Sequence, residues 1–305
     1  MKDTFHILAC LFIFQIAAAQ KKTTLTYFQN DTLKLDLDLF VPEKKSDAKL
    51  PLVIYVHGGG FSGGDRAAGE TFCKYLANNG YAAATISYSL YMKGKNFNCD
   101  GALPEKIKAF QFGANDLWLA TSFFISNSQK YNIDLAKIFI SGSSAGAETA
   151  LHAAFWDVKT MAVYPNVLPE NFKYAGLISG AGAIMDLNLI TSKNSIPAFF
   201  FHGSGDTVVP YGTAAHHFCK PNSSNWLMLF GSYSIYHHLI ELNQSASLYT
   251  FCGGGHDVSN NLFVKDLPYL LSFLNDVLAG KKIQNHTIVP TGKKNVISSA
   301  YKFCD

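Results

Sequence analysis

The sequence predicts an α/β protein, a mostly parallel twisted sheet with helices on both of its faces. Two observations carry this reading. Short continuous apolar runs alternate with helix-patterned stretches, and glycine clusters fall at the ends of those runs. The chain has 305 residues, 48% of them hydrophobic and 15% charged, which is enough apolar material for one large core and excludes a disordered chain. The formal charge is +3 with no long basic run, so nothing marks a nucleic-acid partner.

Residues 1–19 read as a targeting segment outside the fold. Lys2 gives a weak positive start, Ile7 to Ile16 an apolar stretch, and Ala17-Ala18-Ala19 small residues for cleavage before Gln20. The stretch is short for a membrane span and is interrupted by Gln15, and it runs on past Cys10, which argues against a lipidated cysteine. The expectation is an exported protein, secreted or periplasmic, with no membrane span after the leader and one catalytic domain over 20–305. Export permits disulfides. Cys73, Cys99, Cys219, Cys252 and Cys304 remain after cleavage, an odd number that leaves at least one free or paired between chains. Their spacing fits no zinc pattern, and pairing is not readable from sequence.

Thr24–Phe28 and Leu33–Val41 alternate as antiparallel strands, with Leu33, Leu35, Leu37 and Leu39 on one face. Leu52–Val56 is an unbroken apolar run, as a strand buried on both faces requires. A helix over Ala67–Asn78 ends at Asn79-Gly80, and a second buried strand covers Tyr81–Ser87. After a loop over Tyr91–Leu103, Pro104 opens a long helix to about Ser128. Lys137–Ser141 is a strand, Ala145–Ala154 a helix, and Ala175–Ser179, Ala198–His202 and Leu248–Phe251 are further strands, giving eight in all. Leu262–Leu278 is a closing amphipathic helix ended by Gly280.

The chemistry gathers at strand ends. Gly142-Ser143-Ser144-Ala145-Gly146 sits between a strand and a helix, the context a G-x-S-x-G nucleophile turn needs. So tight a turn strains the nucleophile's backbone and leaves no room for side chains at Gly142 and Gly146. The helix start behind Ser144 aims free amides, chiefly that of Ala145, at a developing negative charge. His57-Gly58-Gly59-Gly60-Phe61 ends the strand Leu52–Val56, and the amides of Gly59 and Gly60 are expected to join Ala145 in an oxyanion hole. A phosphate-binding glycine loop fails on detail, lacking both a following Lys-Ser/Thr pair and G-x-G-x-x-G spacing. Asp206 follows strand Ala198–His202, and His256 follows three glycines after Leu248–Phe251, giving a triad Ser144, Asp206, His256. Asp257, next to the histidine, is poorly placed as the acid. His152, His202, His216, His217, His237, His238 and His286 read as packing or surface residues, and Ser141 and Ser143 do not stand between two glycines.

On these motifs the chain resembles the esterase/lipase branch of the α/β-hydrolase superfamily, near the hormone-sensitive-lipase-like and acetyl-xylan or feruloyl esterases. The likeness covers about Leu52 to Gly280 and also rests on Asp116, Asn132-Ile133-Asp134 and Gly205–Pro210. It implies the α/β-hydrolase fold, loop support by His57, and a structural role for Asp116. Two features depart from many relatives: Ser143 with Ala147-Glu148 around the nucleophile, and Tyr88-Ser89 where a tyrosine-arginine pair is common. The mechanism implied is acyl transfer on a small-molecule or carbohydrate-linked ester, with no metal or organic cofactor. The short link between Ala154 and Ala175 leaves little room for a lid, and Phe61, Tyr88, Tyr91, Phe97, Phe155, Trp156 and Tyr164 are candidate pocket aromatics. Export and a small pocket suggest acetyl or feruloyl esters of plant polysaccharides. A serine peptidase or amidase and a catalytically silent binding module are the alternatives; oligomeric state is not readable.

Overall fold

The computed structural model describes residues 22–44, 47–165, 168–294 and 301–304, so the expected leader lies outside the described residues. The chain opens with an antiparallel hairpin, β1 (Lys22–Gln29) and β2 (Lys34–Phe40). Its turn is closed by Asn30, whose side-chain oxygen accepts from the amides of Thr32 and Leu33. There follow β3 (Leu50–Val56), α1 (Glu70–Asn78), β4 (Ala82–Ile86), α2 (Leu103–Ser126), β5 (Ile133–Ser143) and α3 (Ala145–Phe155). Next come α4 (Val158–Met161), β6 (Gly176–Gly180), β7 (Ala183–Ile184), β8 (Ala198–Gly203), β9 (Thr213–Ala215) and β10 (Met228–Gly231). The last elements are α5 (Ser232–Glu241), β11 (Ala246–Cys252), α6 (Asn261–Val264), α7 (Leu267–Leu278) and β12 (Gln284–Pro290).

The main sheet has nine strands in the order β1-β2-β4-β3-β5-β6-β8-β11-β12, parallel from β4 onward. The expected count of eight is therefore corrected to nine. The added strand, β12, pairs in parallel with β11 at the sheet edge and begins Gln284-Asn285-His286-Thr287. Such a strand is held by ladder hydrogen bonds and buries no full apolar face, so it leaves no hydrophobic pattern. The expected closing helix over Leu262–Leu278 is two helices, α6 and α7, with Pro268 in the first turn of the second. Proline cannot supply the amide that would continue the earlier helix. A small antiparallel sheet, β7-β10-β9, was also beyond the sequence pattern.

The unbroken apolar runs are explained by two cores. Alternate residues of β3, Leu52, Ile54 and Val56, pack with α2 and α3 on one face; Val53 and Tyr55 pack with α1 and α7 on the other. Each central strand is divided the same way, as in Phe200 against Phe199 and Phe201 of β8. Leu35, Leu37 and Leu39 of β2 join the first core, as their alternation predicts. Cys99–Cys219 and Cys252–Cys304 are disulfides, and Cys73 is free and buried. Among the described residues no helix is long and apolar enough to cross a membrane.

Candidate active site

The turn from β5 to α3 places Ser144 at φ 52°, ψ −126°, a conformation L-residues rarely adopt. Its neighbours show why small residues are required. A Cβ on Gly142 would lie 2.3 Å from Gly146 O, and one on Gly146 would lie 2.1 Å from Val56 O. The glycine loop after β3 presses against the same turn: a Cβ on Gly58 would be 3.2 Å from that of Ser144. Among the described residues no acceptor takes the amide hydrogens of Gly59, Gly60 or Ala145. All three residues border, with Ser144 and His256, a cleft of about 550 Å³. Ala145 is the first residue of α3, at the positive end of the helix dipole.

His57 Nδ1 donates to Gly58 O at 2.7 Å, and its own carbonyl accepts from Tyr88 Oη at 3.1 Å. Burial pulls its pKa below the ordinary value, which favours the neutral ring that this bond needs. Asp116, fully buried on α2, accepts from the amide of Ser89 at 2.6 Å, next to the tyrosine that braces His57. His57, Tyr88 and Asp116 thus stand in one hydrogen-bonded cluster behind the glycine loop.

Ser144 Oγ lies 2.7 Å from His256 Nε2, and His256 Nδ1 lies 2.6 Å from Asp206 Oδ2. The loops that bring these residues together are hydrogen-bonded to each other: Gly205 N to Gly254 O at 2.9 Å, and Gly253 N to Ser204 Oγ at 2.8 Å. Asp206 Oδ1 accepts from the amides of Val208 and Val209. Burial raises the Asp206 carboxyl, but bonds to His202 and His256 outweigh it and hold the group well below the usual carboxylate range. The buried carboxylate thus fixes the imidazole at Nδ1 and leaves Nε2 facing Ser144 Oγ.

The rivals are otherwise engaged. Asp257 is exposed and faces Lys293 Nζ at 3.5 Å. Ser141 Oγ donates to Ile54 O, and Ser143 Oγ meets Tyr55 Oη at 3.1 Å inside the protein.

Comparison with known proteins adds what the chain is similar to. Residues 37–188, just under half of the chain, match the BD-FAE family model. The chain is 28% identical over 152 residues to probable carboxylesterase 1 of Arabidopsis thaliana, covering 47% of this chain and 44% of that protein. It is 29% identical over 116 residues to fumonisin B1 esterase of Sphingopyxis macrogoltabida, covering 37% and 21%, respectively. A non-reducing polyketide synthase of Acremonium egyptiacum is 26% identical over 158 residues, 52% of this chain but 7% of the synthase. The chain thus spans less than half the length of these curated relatives. Among solved structures, the apo form of Thermogutta terrifontis esterase 2 superposes with a TM-score of 0.62 at 17% identity, covering 84% of this chain and 94% of that one. The same esterase phosphorylated by paraoxon gives a TM-score of 0.63 at 16% identity with the same coverage. The chain has the α/β-hydrolase fold of these esterases, and residues 37–188 are similar to the BD-FAE family.

Within this fold, several polar groups near Ser144 and His256 escape the sequence reading. His202 is not a surface or simple packing residue: it is fully buried, and its Nε2 lies 3.2 Å from the same Asp206 oxygen that His256 meets. His216 and His217, read as packing or surface residues, border the cleft, as does Glu148. His152 does pack, stacked on Phe110 with Nδ1 on Glu148 O. Of the candidate aromatics only Phe97 borders the cleft. Phe61 is core, Tyr88 packs on His57, Tyr91 stacks on Phe112, Phe155 is buried in the first core, Trp156 packs on His152, and Tyr164 on Phe28. Those residues pack away from the cleft.

Proposed function

We propose that the chain is a serine carboxylesterase acting on small carboxylic esters, and that Ser144, His256 and Asp206 are its catalytic residues. The observation that carries the reading is the continuous hydrogen-bonded line from Ser144 Oγ through His256 to Asp206, ending at a cleft bordered by unpaired amides. In the first step Ser144 Oγ bonds the ester carbonyl carbon and passes its proton to His256 Nε2. The carbonyl electron pair moves onto the oxygen, which Gly59, Gly60 and Ala145 hold. The C–O bond to the alcohol then breaks, and His256 returns the proton to the departing alkoxide. Water repeats the sequence: His256 takes one proton, the hydroxide oxygen bonds the acyl carbon, and the acid leaves as Ser144 regains its proton.

Esterase names among the relatives favour ester over amide substrates, and phosphorylation of the Thermogutta esterase by paraoxon favours a site open to organophosphorus reagents. We place the substrate among acetyl or feruloyl esters of plant polysaccharides, and the protein outside the cytoplasm, where its two disulfides would persist. The test is turnover of p-nitrophenyl esters of rising chain length, acetylated xylan and methyl ferulate. Short acyl chains or the two polysaccharide-type esters should be preferred, and Ser144→Ala should reduce every rate by at least about 10³-fold. Unchanged turnover in that variant would mean another nucleophile.

A further inference from the structure

Glu148 lies on α3 four residues beyond Ser144, about 6 Å along the helix axis. It is 1% exposed, borders the cleft, and its Oε1 makes no hydrogen bond among the described residues. Across from it stands His216, also 1% exposed, with Nε2 3.8 Å from that oxygen. The tautomer of His216 is fixed from behind. Lys106, buried on α2, donates from Nζ to His216 Nδ1 at 3.4 Å, so the ring hydrogen sits on Nε2. Phe97 packs edge-on against the same imidazole and forms the adjoining cleft wall.

A gap of 3.8 Å is too long for a direct bond, and burial holds His216 neutral, so the contact is not an ion pair. One oxygen about 2.8 Å from each atom would bridge them, accepting from Nε2–H and donating to the carboxyl oxygen. An ammonium ligand suits the place poorly, since Lys106 already supplies a buried cation behind His216. A group that both donates and accepts fits it.

We propose that Glu148 and His216 form a hydroxyl-binding subsite, and that the enzyme selects esters carrying a free hydroxyl close to the scissile bond, as on a partly acetylated sugar ring. The subsite rests on the esterase reading above and names the feature of the substrate that the triad itself does not recognise. Glu148 and His216 are specificity-determining residues; neither touches the reacting atoms.

The test compares trans-2-hydroxycyclohexyl acetate with cyclohexyl acetate, which share the ring and the acetyl group and differ by one hydroxyl. The native enzyme should prefer the hydroxylated ester by at least about tenfold in kcat/KM. Glu148→Met, which removes the acceptor, and His216→Phe, which keeps a ring against Phe97 but removes the donor, should each bring that ratio close to one. Thermal melting and fluorophosphonate labelling report whether each variant is folded, and either variant alone suffices for the comparison. Hydrolysis of both esters with equal kcat/KM by the native enzyme, or a preference that survives in a folded variant, overturns the subsite alone. Failure to hydrolyse either ester together with no labelling of Ser144 overturns the esterase reading and the subsite with it.

Discussion

Asp206 shows how much of the site's order is invested in one carboxylate. It is fully buried, yet its oxygens meet two backbone amides and two imidazoles, so the anion is held without rotation. Asp206→Asn should preserve the shape but present an amide hydrogen or oxygen indiscriminately to His256, lowering kcat by about 10³–10⁴-fold. His202, on the same Asp206 oxygen as His256, is expected to act through it as a positioning residue. Removing its bond in His202→Asn should lower kcat about tenfold, in line with the loss of a hydrogen bond to a charged group, while the stoichiometry of serine labelling stays at one. A kcat equal to that of the native enzyme would mean that the amides of Val208 and Val209 hold the carboxylate unaided. Asp206 was legible because it follows a strand end in the right order. His202 was not, because a histidine inside an apolar strand looks the same whether it packs against carbon or against a carboxylate.

The elements position the site by steric exclusion. β3 and β5 are neighbours in the sheet, and the glycine loop that follows the first must pass over the turn at Ser144 that follows the second. Gly146 is where they meet, with a Cβ there falling 2.1 Å from Val56 O and 2.6 Å from His57 O. Gly146→Ala should therefore destabilise the fold by about 3 kcal/mol or more and abolish serine labelling. Gly63→Ala is the control, because a Cβ there has nothing within 4 Å and its backbone is not in the positive-φ region. Equal stability of the two variants, measured by urea unfolding, would contradict the account of the turn. The parallel strands and both glycine motifs were readable because burial on two faces and close backbone approach leave marks on composition. β12 and the small sheet β7-β10-β9 were not, since a half-exposed edge strand and strands of two to four residues need no apolar pattern.

At the scale of the whole molecule the line from Ser144 to Asp206 and the cleft beside it depend on a core that also contains charge. Asp116 is fully buried, and burial pushes its carboxyl up from 3.8 to about 6 despite its bonds to Ser89 and Asn115. Its folded value thus stands above its unfolded one. The stability it contributes is full below about 3.8 and is lost as pH rises through about 6, by up to about 3 kcal/mol. Melting temperatures of the native protein and Asp116→Asn, followed from pH 4 to 7, should diverge in that window, the variant gaining relative to the native chain as pH rises. Parallel profiles would place the titration elsewhere. The sequence identified this aspartate only through resemblance, because its burial depends on how α2 crosses the loop after β4. The same limit applies to the polar cluster at the cleft: Glu148 and His216 in its wall and Lys106 behind them come from three separated segments, and only the fold brings them together. The central proposal, that Ser144 is the nucleophile of an esterase, is tested most directly by reaction with a fluorophosphonate followed by peptide mass spectrometry. The account predicts one adduct per chain on Ser144, with p-nitrophenyl acetate hydrolysis lost in step with labelling; an unlabelled Ser144, or full activity after labelling, would contradict it.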